Sequence, residues 1–575
     1  MRVPVAVVDF ETFPIVPGSP KSPEPVGVAI RRNSKSKYYS WGHPTKNNSS
    51  FLEAQMILIT LCETHRIVMH NAQFDLRILK DWFDLTPTRW ECTKIMAFLA
   101  NPTFKTLSLK PLADYIFELP PTERDEMGDW LLDNYPPFRK KMNPSIFTAY
   151  APADIAGKYA VGDVDRTWLL YKLFDKMLSS EEKIAYEREK AVVPIVLDME
   201  AYGVRIDVDR LEKDHKKSLR RQGRLSDVIY KRLGDINPNS PQQMAKALYD
   251  HGVCKEFLET PTGKPSVSIP ALRETAEDQG FIDVLEEHSK YKKLIGTYMS
   301  PWLEAAYAND GYFFPYFNPT RKDAETGGAY TGRFSSNFQQ VPKRRFGKLP
   351  YMRDYVLPDK GQVIVDRDYS QQELRILADG GGGNLAKAYV DDPTLDMHNF
   401  TMDLVSQYKP ITRDQTKTIN FLKVYGGGAP LLAKKLSITE TEAREIIKAH
   451  TQAIPEVKQL SDRLKREHAD KGCITTWGGR RYQLPYEDHY KLLNLYIQGS
   501  AADQTKEAMI RYEAMRGNSQ ARVMLTVHDQ ILLSAPGKGI RASNTLRRAM
   551  EDMPGWHVPM LTDAKVVKSW TEATE

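Results

Sequence analysis

Cysteine is scarce in this chain. Its 575 residues hold four, Cys62, Cys92, Cys254 and Cys473, with no C-x-x-C pair. That argues against a disulfide framework or a zinc site and fits a reducing compartment, the cytoplasm. Long apolar runs are absent: none approaches the roughly 18 residues of a membrane span, so no membrane association is expected. The N-terminus, MRVPVAVVDFETF, lacks the apolar core and cleavage site of a secretory signal. No repeat period or long low-complexity tract is visible. The four-glycine run Gly380 to Gly383 lacks the G-K-[ST] ending of a phosphate loop and reads as a flexible turn. Charge of one sign is also weak, with a net of only +6. The basic residues instead gather locally, at His215, Lys216, Lys217, Arg220, Arg221 and Arg224, at Lys290, Lys292 and Lys293, and at Lys343, Arg344 and Arg345. Such clusters suit a defined polyanion track, or simply a solvated face.

What is present is a globular composition, 41% hydrophobic and 27% charged, in a chain long enough for two or more cores. Residues 1–175 alternate strands (VAVVDF, RIVMHN) with helices (ADIAGKYAVGDVDRTWLLYKLF). A helical, basic stretch runs to about residue 300, broken at INPNSPQQ and PTGKPSVS. Strand signals return at GYFFPYF, QVIVDRDYS and VMLTVHDQILLSA, with a helical block between the last two.

Two groups of residues point to chemistry. In the first, Asp9 and Glu11 sit two apart at a strand end, so alternation turns both to one face. Asp75 opens a helix after the strand RIVMH. Tyr159 and Asp163, four apart, share a face of a later helix. Two divalent ions about 4 Å apart can activate a water and stabilise the leaving oxygen of a phosphodiester. Hard ions such as Mg2+ take the oxygen ligands that carboxylates supply, and Tyr159 would orient the water. D-x-E alone reads equally as a strand end entering a turn. The ordered set is more specific: D-x-E, then N-x-x-[FY]-D through Asn71, Phe74 and Asp75, then Y-x-x-x-D. It resembles the DEDD exonucleases that carry tyrosine in the third motif.

In the second group, Asp368 ends the strand QVIVDRD and Asp529 sits at the tip of a hairpin. Two carboxylates at the ends of buried strands suit a two-metal phosphoryl-transfer centre. An aspartate at a hairpin tip is, by itself, an ordinary turn residue. Between them, Thr412 and Gln415 have capping-box spacing, and Arg413, Lys417, Phe421 and Tyr425 recur every four residues along one helical stripe. The cations suit a triphosphate and the rings suit a base. The plain alternative is an amphipathic surface helix.

These segments resemble the family A DNA polymerases, of the bacterial DNA polymerase I type. D-Y-S-Q-x-E-L-R from Asp368 is similar to motif A, R-x-x-x-K-x-x-N-F-x-x-x-Y-G from Arg413 to motif B, and V-H-D from Val527 to motif C. GVRID at 203–207, TGRFSS at 331–336, DMH at 396–398 and the run Asn494 to Asp503 agree. The resemblance implies a multidomain α/β and α+β fold: a ribonuclease H-like 3′-5′ exonuclease domain (1–175), connecting helices and thumb (176–310), palm (311–378 and 490–575) and fingers (379–489) in a right-hand arrangement. It implies that Asp9, Glu11, Asp75 and Asp163 hold metal in the exonuclease, with Tyr159 completing the catalytic set. It implies that Asp368, Asp529 and the Tyr369 carbonyl hold metal in the polymerase. Two Mg2+ per site are implied, with Mn2+ able to substitute. Tyr369, Gln371, Glu373, His398, Arg413, Lys417, Phe421 and Tyr425 would meet the dNTP, with Glu373 excluding a ribose 2′-hydroxyl. Phe421 in place of Tyr implies stronger rejection of dideoxynucleotides. Arg333, Asn494, Gln498 and His528 would read the minor groove of the primer terminus, whose acceptors are alike for every base pair. The implied partners are primer-template DNA, dNTPs and a single-stranded 3′ end, bound by a monomer.

One residue departs from the pattern. The acid that usually follows the motif C aspartate is Gln530, which is expected to weaken metal or primer positioning. The chain opens directly on the exonuclease strand, without a 5′-nuclease domain, and this economy suggests a bacteriophage replicative enzyme. No long insertion marks a docking loop in the thumb. Three rival readings stand beside this one. A single-subunit RNA polymerase is opposed by Glu373 and the exonuclease motifs. A nuclease with an inert polymerase half is hinted at only by Gln530 and opposed by Asp368, Asp529, Arg413 and Lys417. A non-enzymatic replication scaffold is opposed by both acidic groups.

Overall fold

The apolar residues Ala6, Val7, Val8 and Phe10 are buried on both faces of β1 (Val5–Thr12), as the central strand of a covered sheet requires. In the computed structural model, which describes residues 3–320, 330–343, 345, 347 and 349–570, this strand organises the N-terminal part. β2 (Pro25–Arg32) and β3 (Lys35–Ser40) extend the sheet antiparallel on one side. β4 (Arg66–Met69) and β5 (Trp90–Cys92) extend it parallel on the other, in the order β3-β2-β1-β4-β5. The helix Ala153–Met177 packs across β1, β2 and β3, burying Ala156, Ala160 and Val164.

The chain forms two compact units. The larger comprises Met1–Tyr202, Pro315–Gln339 and Gly361–Val566, and the smaller Gly203–Phe314, Gln340–Lys360 and Val567–Glu575. In the larger unit a second sheet forms from β6 (Gln362–Tyr369), β7 (Arg522–Val527), β8 (Gln530–Pro536) and β9 (Thr562–Val567), in the order β7-β8-β6-β9. The β7–β8 turn holds only His528 and Asp529, and Gln530 already pairs in β8 with Val527.

The helix Ser180–Tyr202 belongs to the larger unit and carries a buried glutamate, Glu189. Its carboxylate accepts from Arg480 at 2.5 Å and from Lys506 at 2.6 and 2.7 Å, and Arg480 also donates to Asp503 at 2.8 Å. Two acids and two bases, each at most 1% exposed, thereby neutralise one another in the interior. Gly332 (φ +78°) lets the chain pass the Arg480 guanidinium, where a Cβ would stand 2.5 Å from Cζ.

The smaller unit pairs the helices Val208–Leu233 and Gln279–Lys293 around Ile229, Leu248, Leu272 and Ile282. Its basic clusters are partly matched by acids: Arg221 forks onto Glu287 at 2.8 and 2.7 Å, Lys216 meets Glu212, and Lys290 meets Glu286. Arg345 pairs with Asp354, while Arg344 lies outside the described residues. Among the described residues no helix is long and apolar enough to cross a membrane.

Two local expectations change. The segment GYFFPYF is not one strand. Pro315 divides it into Tyr312–Phe313, which pairs with Val204–Ile206, and Phe317–Asn318, which pairs with Ser335–Ser336. The glycine run turns the chain as expected, but at Gly382 alone (φ +68°) rather than over four residues. Gly380 and Gly381 finish the helix Gln372–Gly381, and Gly383 starts the next helix, Gly383–Asp391. The new helix is anchored by the Asn384 N–H on Glu456 at 2.6 Å.

Candidate active sites

The first acidic cluster forms where β1, the helix Ala72–Phe83 and the helix Ala153–Met177 meet. One carboxylate oxygen each from Asp9, Glu11 and Asp163 lies within 4.8 Å of the others. Asp75 stands outside that trio. It is buried, and its Oδ1 accepts the Phe10 N–H at 3.2 Å, which holds it against β1. Burial, then the charge of Asp163, lifts the Asp9 carboxyl to about 8. Burial and neighbouring carboxylates raise Glu11 and Asp75 well above the usual range. Burial also raises Asp163, against the pull of Lys110. Oxygen donors this close, and this reluctant to be separate anions, fit a hard divalent cation.

Tyr159 donates from its hydroxyl to Ser145 Oγ at 2.8 Å, and burial keeps that phenol protonated. Lys110 is a member of the site that the sequence did not reveal. Its ammonium pairs with Asp163 and lies 3.6 Å from the centre of the Tyr159 ring. Nothing in the helix Leu109–Phe117 marks that lysine as different from a surface one. Asn71 caps the Ala72–Phe83 helix in a left-handed conformation (φ 64°) and accepts from Lys94, and Phe74 packs on the core.

The second cluster lies at the end of the β6–β8 ladder. Asp368 is in register with Gln530, and the Tyr369 N–H donates to the Asp529 carbonyl at 3.3 Å, so the two aspartates are neighbours. His528 takes a positive φ of 60° in the two-residue turn that presents Asp529. The Tyr369 ring is buried, with its hydroxyl on the Met550 carbonyl, which leaves the backbone as the part able to meet a ligand.

The helix Arg413–Val424 begins with the expected capping box, in which Thr412 and Gln415 satisfy each other's backbone N–H groups. Arg413 and Lys417 are exposed along one stripe. Phe421 and Tyr425 lie nearly parallel, with ring centres 6.4 Å apart. Arg413 donates to Asp396 at 2.6 Å, the residue that caps the helix bearing His398. Burial lowers His450 to about 3, so its ring is neutral. Its Nε2–H donates to Asn420 Oδ1 at 3.0 Å, and the Asn420 amide then donates to His398 Nδ1 at 3.2 Å. This relay leaves His398 Nε2 as the donor.

Glu373 accepts from Arg333 at 2.6 Å and from the Tyr425 hydroxyl at 3.1 Å, and the Gln498 side chain lies beside that hydroxyl. The Gln371 side chain is occupied by Leu395, Met397 and Tyr389, where it braces the Asp396–His398 turn. Asn494 Oδ1 is buried and accepts no hydrogen bond from a described residue. Asp366, two residues before Asp368, also went unremarked in the sequence. Both its oxygens accept from Gln530 Nε2, at 2.7 and 2.6 Å.

The family model for DNA polymerase family A matches residues 208–572. The chain belongs to DNA polymerase family A. A second model, 3′-5′ exonuclease, matches residues 45–179, so an exonuclease domain precedes the polymerase domain. Similar proteins include DNA polymerase I of Caldicellulosiruptor bescii, 29% identical over 74% of this chain and 52% of the relative. DNA polymerase I of Geobacillus stearothermophilus is 31% identical over 71% of this chain and 48% of the relative. The thermostable DNA polymerase I of Thermus aquaticus is 29% identical over 72% and 52%. The chain thus spans about half the length of the curated relatives it matches. A solved structure, the POL domain of Pol1 from M. smegmatis in complex with DNA primer-template and dNTP, shares the fold of this family A member. Its TM-score is 0.76 at 22% identity, over 98% of this chain and 96% of that one.

Proposed function

We propose that this family A member is a template-directed DNA polymerase that joins dNTPs to a primer 3′-hydroxyl with release of pyrophosphate. Its N-terminal site would remove mispaired 3′ ends delivered as single strand. The observation that carries the reading is the adjacency of Asp368 and Asp529 at one end of a buried ladder. The donor sets at both sites are oxygen-rich and suit Mg2+. Asp368, Asp529 and the Tyr369 carbonyl would hold two such ions in one site, and Asp9, Glu11, Asp75 and Asp163 two in the other. When bound, the ions lower the pKa of the attacking hydroxyl or water and neutralise charge on the leaving oxygen.

The chain's own residues then position the reactants, which is most of the protein's work in phosphoryl transfer. Arg413, Lys417 and the His398 Nε2–H hold the triphosphate, and Phe421 and Tyr425 pack on the base. Glu373, braced by Arg333 and Tyr425, stands against a 2′-hydroxyl. Asn494, Gln498, Arg333 and His528 test the minor groove of the terminal pair. Tyr159, whose phenol burial keeps protonated, would turn its O–H from Ser145 to the water at the exonuclease site.

Extension of a primed template by purified protein tests the polymerase half, with dNTPs compared against rNTPs. Replacing Asp368 with Ala is expected to slow dNTP addition by about three orders of magnitude. Extension at the unmodified rate after Asp368→Ala and Asp529→Ala together would remove the proposal, and equal use of rNTPs would favour an RNA polymerase.

A further inference from the structure

Asp366 lies on β6 two residues before Asp368, so strand alternation puts both carboxylates on one face. It is 4% exposed, and the Gln530 amide nitrogen spans both of its oxygens at 2.7 and 2.6 Å. Gln530 is the neighbour of Asp529 in sequence and of Asp368 across the ladder. Arg367, between the two acids, serves the opposite face, where it meets Thr562, Ser543 and Glu551. The residue at which this chain departs from motif C is therefore the one that grips an extra acid beside motif A.

We infer that Asp366 and Gln530 form a transposed acid pair, in which the carboxylate usually found after the motif C aspartate is supplied from β6 and held next to Asp368 by the Gln530 amide. This rests on the polymerase reading of Asp368 and Asp529. An ionised carboxylate only accepts hydrogen bonds, and a carboxamide is the side chain that can offer N–H to both of its oxygens from that position. A glutamate at 530 would set a second negative charge within hydrogen-bond distance of Asp366. The two positions thus fit as acid and amide, in either order, and clash as acid and acid. Asp366 is a positioning residue: it adds charge behind the ligands and orients them, as outer-shell carboxylates do.

The test compares wild type, Asp366→Asn, Gln530→Glu and the double variant Asp366→Asn/Gln530→Glu. Mn2+ binding is titrated by electron paramagnetic resonance in an Asp9→Asn/Asp163→Asn background, so that the polymerase carboxylates report. Asp366→Asn is expected to weaken binding about tenfold to a hundredfold and to raise by a similar factor the Mg2+ concentration needed for single-nucleotide addition. Gln530→Glu is expected to slow addition rather than quicken it. The double variant, with its acid and amide exchanged, should regain at least half of the loss on a logarithmic scale. Exonuclease activity, measured with Asp9 and Asp163 intact, certifies folding. If Asp366→Asn does not fold, Gln530→Met, which removes the donor, takes its place and should also weaken binding.

Wild-type Mn2+ affinity in Asp366→Asn, or in Gln530→Met where that stands in, overturns the inference. So does a double variant that regains less than half. A wild-type protein that binds Mn2+ normally but extends no primer would defeat the polymerase reading alone, and the titration would still decide the pair.

Discussion

Burial and the charge of Asp163 lift the Asp9 carboxyl from 3.8 to about 8, while Lys110 pulls it back. A carboxyl raised in the folded state gives its full stabilisation below its unfolded pKa and withdraws it as pH climbs through the folded value. Without divalent ions, thermal stability is therefore expected to fall between about pH 4 and 8 as Asp9 is forced to ionise. Asp9→Asn should flatten that fall by several degrees in the melting temperature, and Lys110→Met should steepen it. Saturating Mg2+ should suppress it in the wild type. Melting curves in chelator from pH 5 to 8 are the measurement, and equal slopes for wild type and Asp9→Asn would refute the electrostatic account. Residues of this kind were unequally visible in the sequence. Asp9, Glu11, Asp75 and Asp163 each fell on a spaced motif. Lys110 did not, because a lone lysine on an amphipathic helix carries no sign of which way it faces. Asp366 could have been read by the same two-residue alternation that marked Asp9 and Glu11, but motif A drew attention only to Asp368.

At the scale of elements, the helix Ser180–Tyr202 is tied to the helix Leu492–Arg516 by Glu189, Lys506, Arg480 and Asp503. Removing one member leaves its partners charged and buried, which costs about 3–5 kcal/mol, whereas removing an acid with its base costs less. Glu189→Ala is thus expected to lower unfolding stability in urea by about that amount, and Glu189→Leu with Lys506→Met by clearly less. A double variant as damaged as Glu189→Ala would mean that packing, not charge balance, governs the position. No sequence pattern announces this quartet, since Glu189 sits among charged neighbours that read as a solvated face. Local signals fared better. The Thr412–Gln415 capping box starts its helix as spaced. The hairpin expected around Asp529 forms with a two-residue turn, His528 and Asp529, because Gln530 is drawn into the ladder opposite Asp368. GYFFPYF failed as a strand because Pro315 breaks it between two separate sheets.

On the scale of the whole molecule, the larger unit carries two acidic centres on two separate sheets: Asp9 and Glu11 on β1, Asp368 on β6. Motif order made this doubling legible, because each set of acids is complete within its own stretch of chain. Centres built on different sheets share no ligand, so disabling one should leave the other's geometry intact. Mutations without shared partners combine additively. On a primer with a mispaired 3′ end, the wild type is expected first to shorten the strand and then to extend it. Asp75→Ala should stall there, with hydrolysis of single-stranded ends down about a thousandfold, yet extend a paired end within about threefold of the wild-type rate. Asp368→Ala should shorten both primers and extend neither. Product lengths on a denaturing gel, followed over time for matched and mismatched primers, separate these outcomes. Loss of both activities in either folded single variant would show that the two centres depend on each other, against what their separate sheets require.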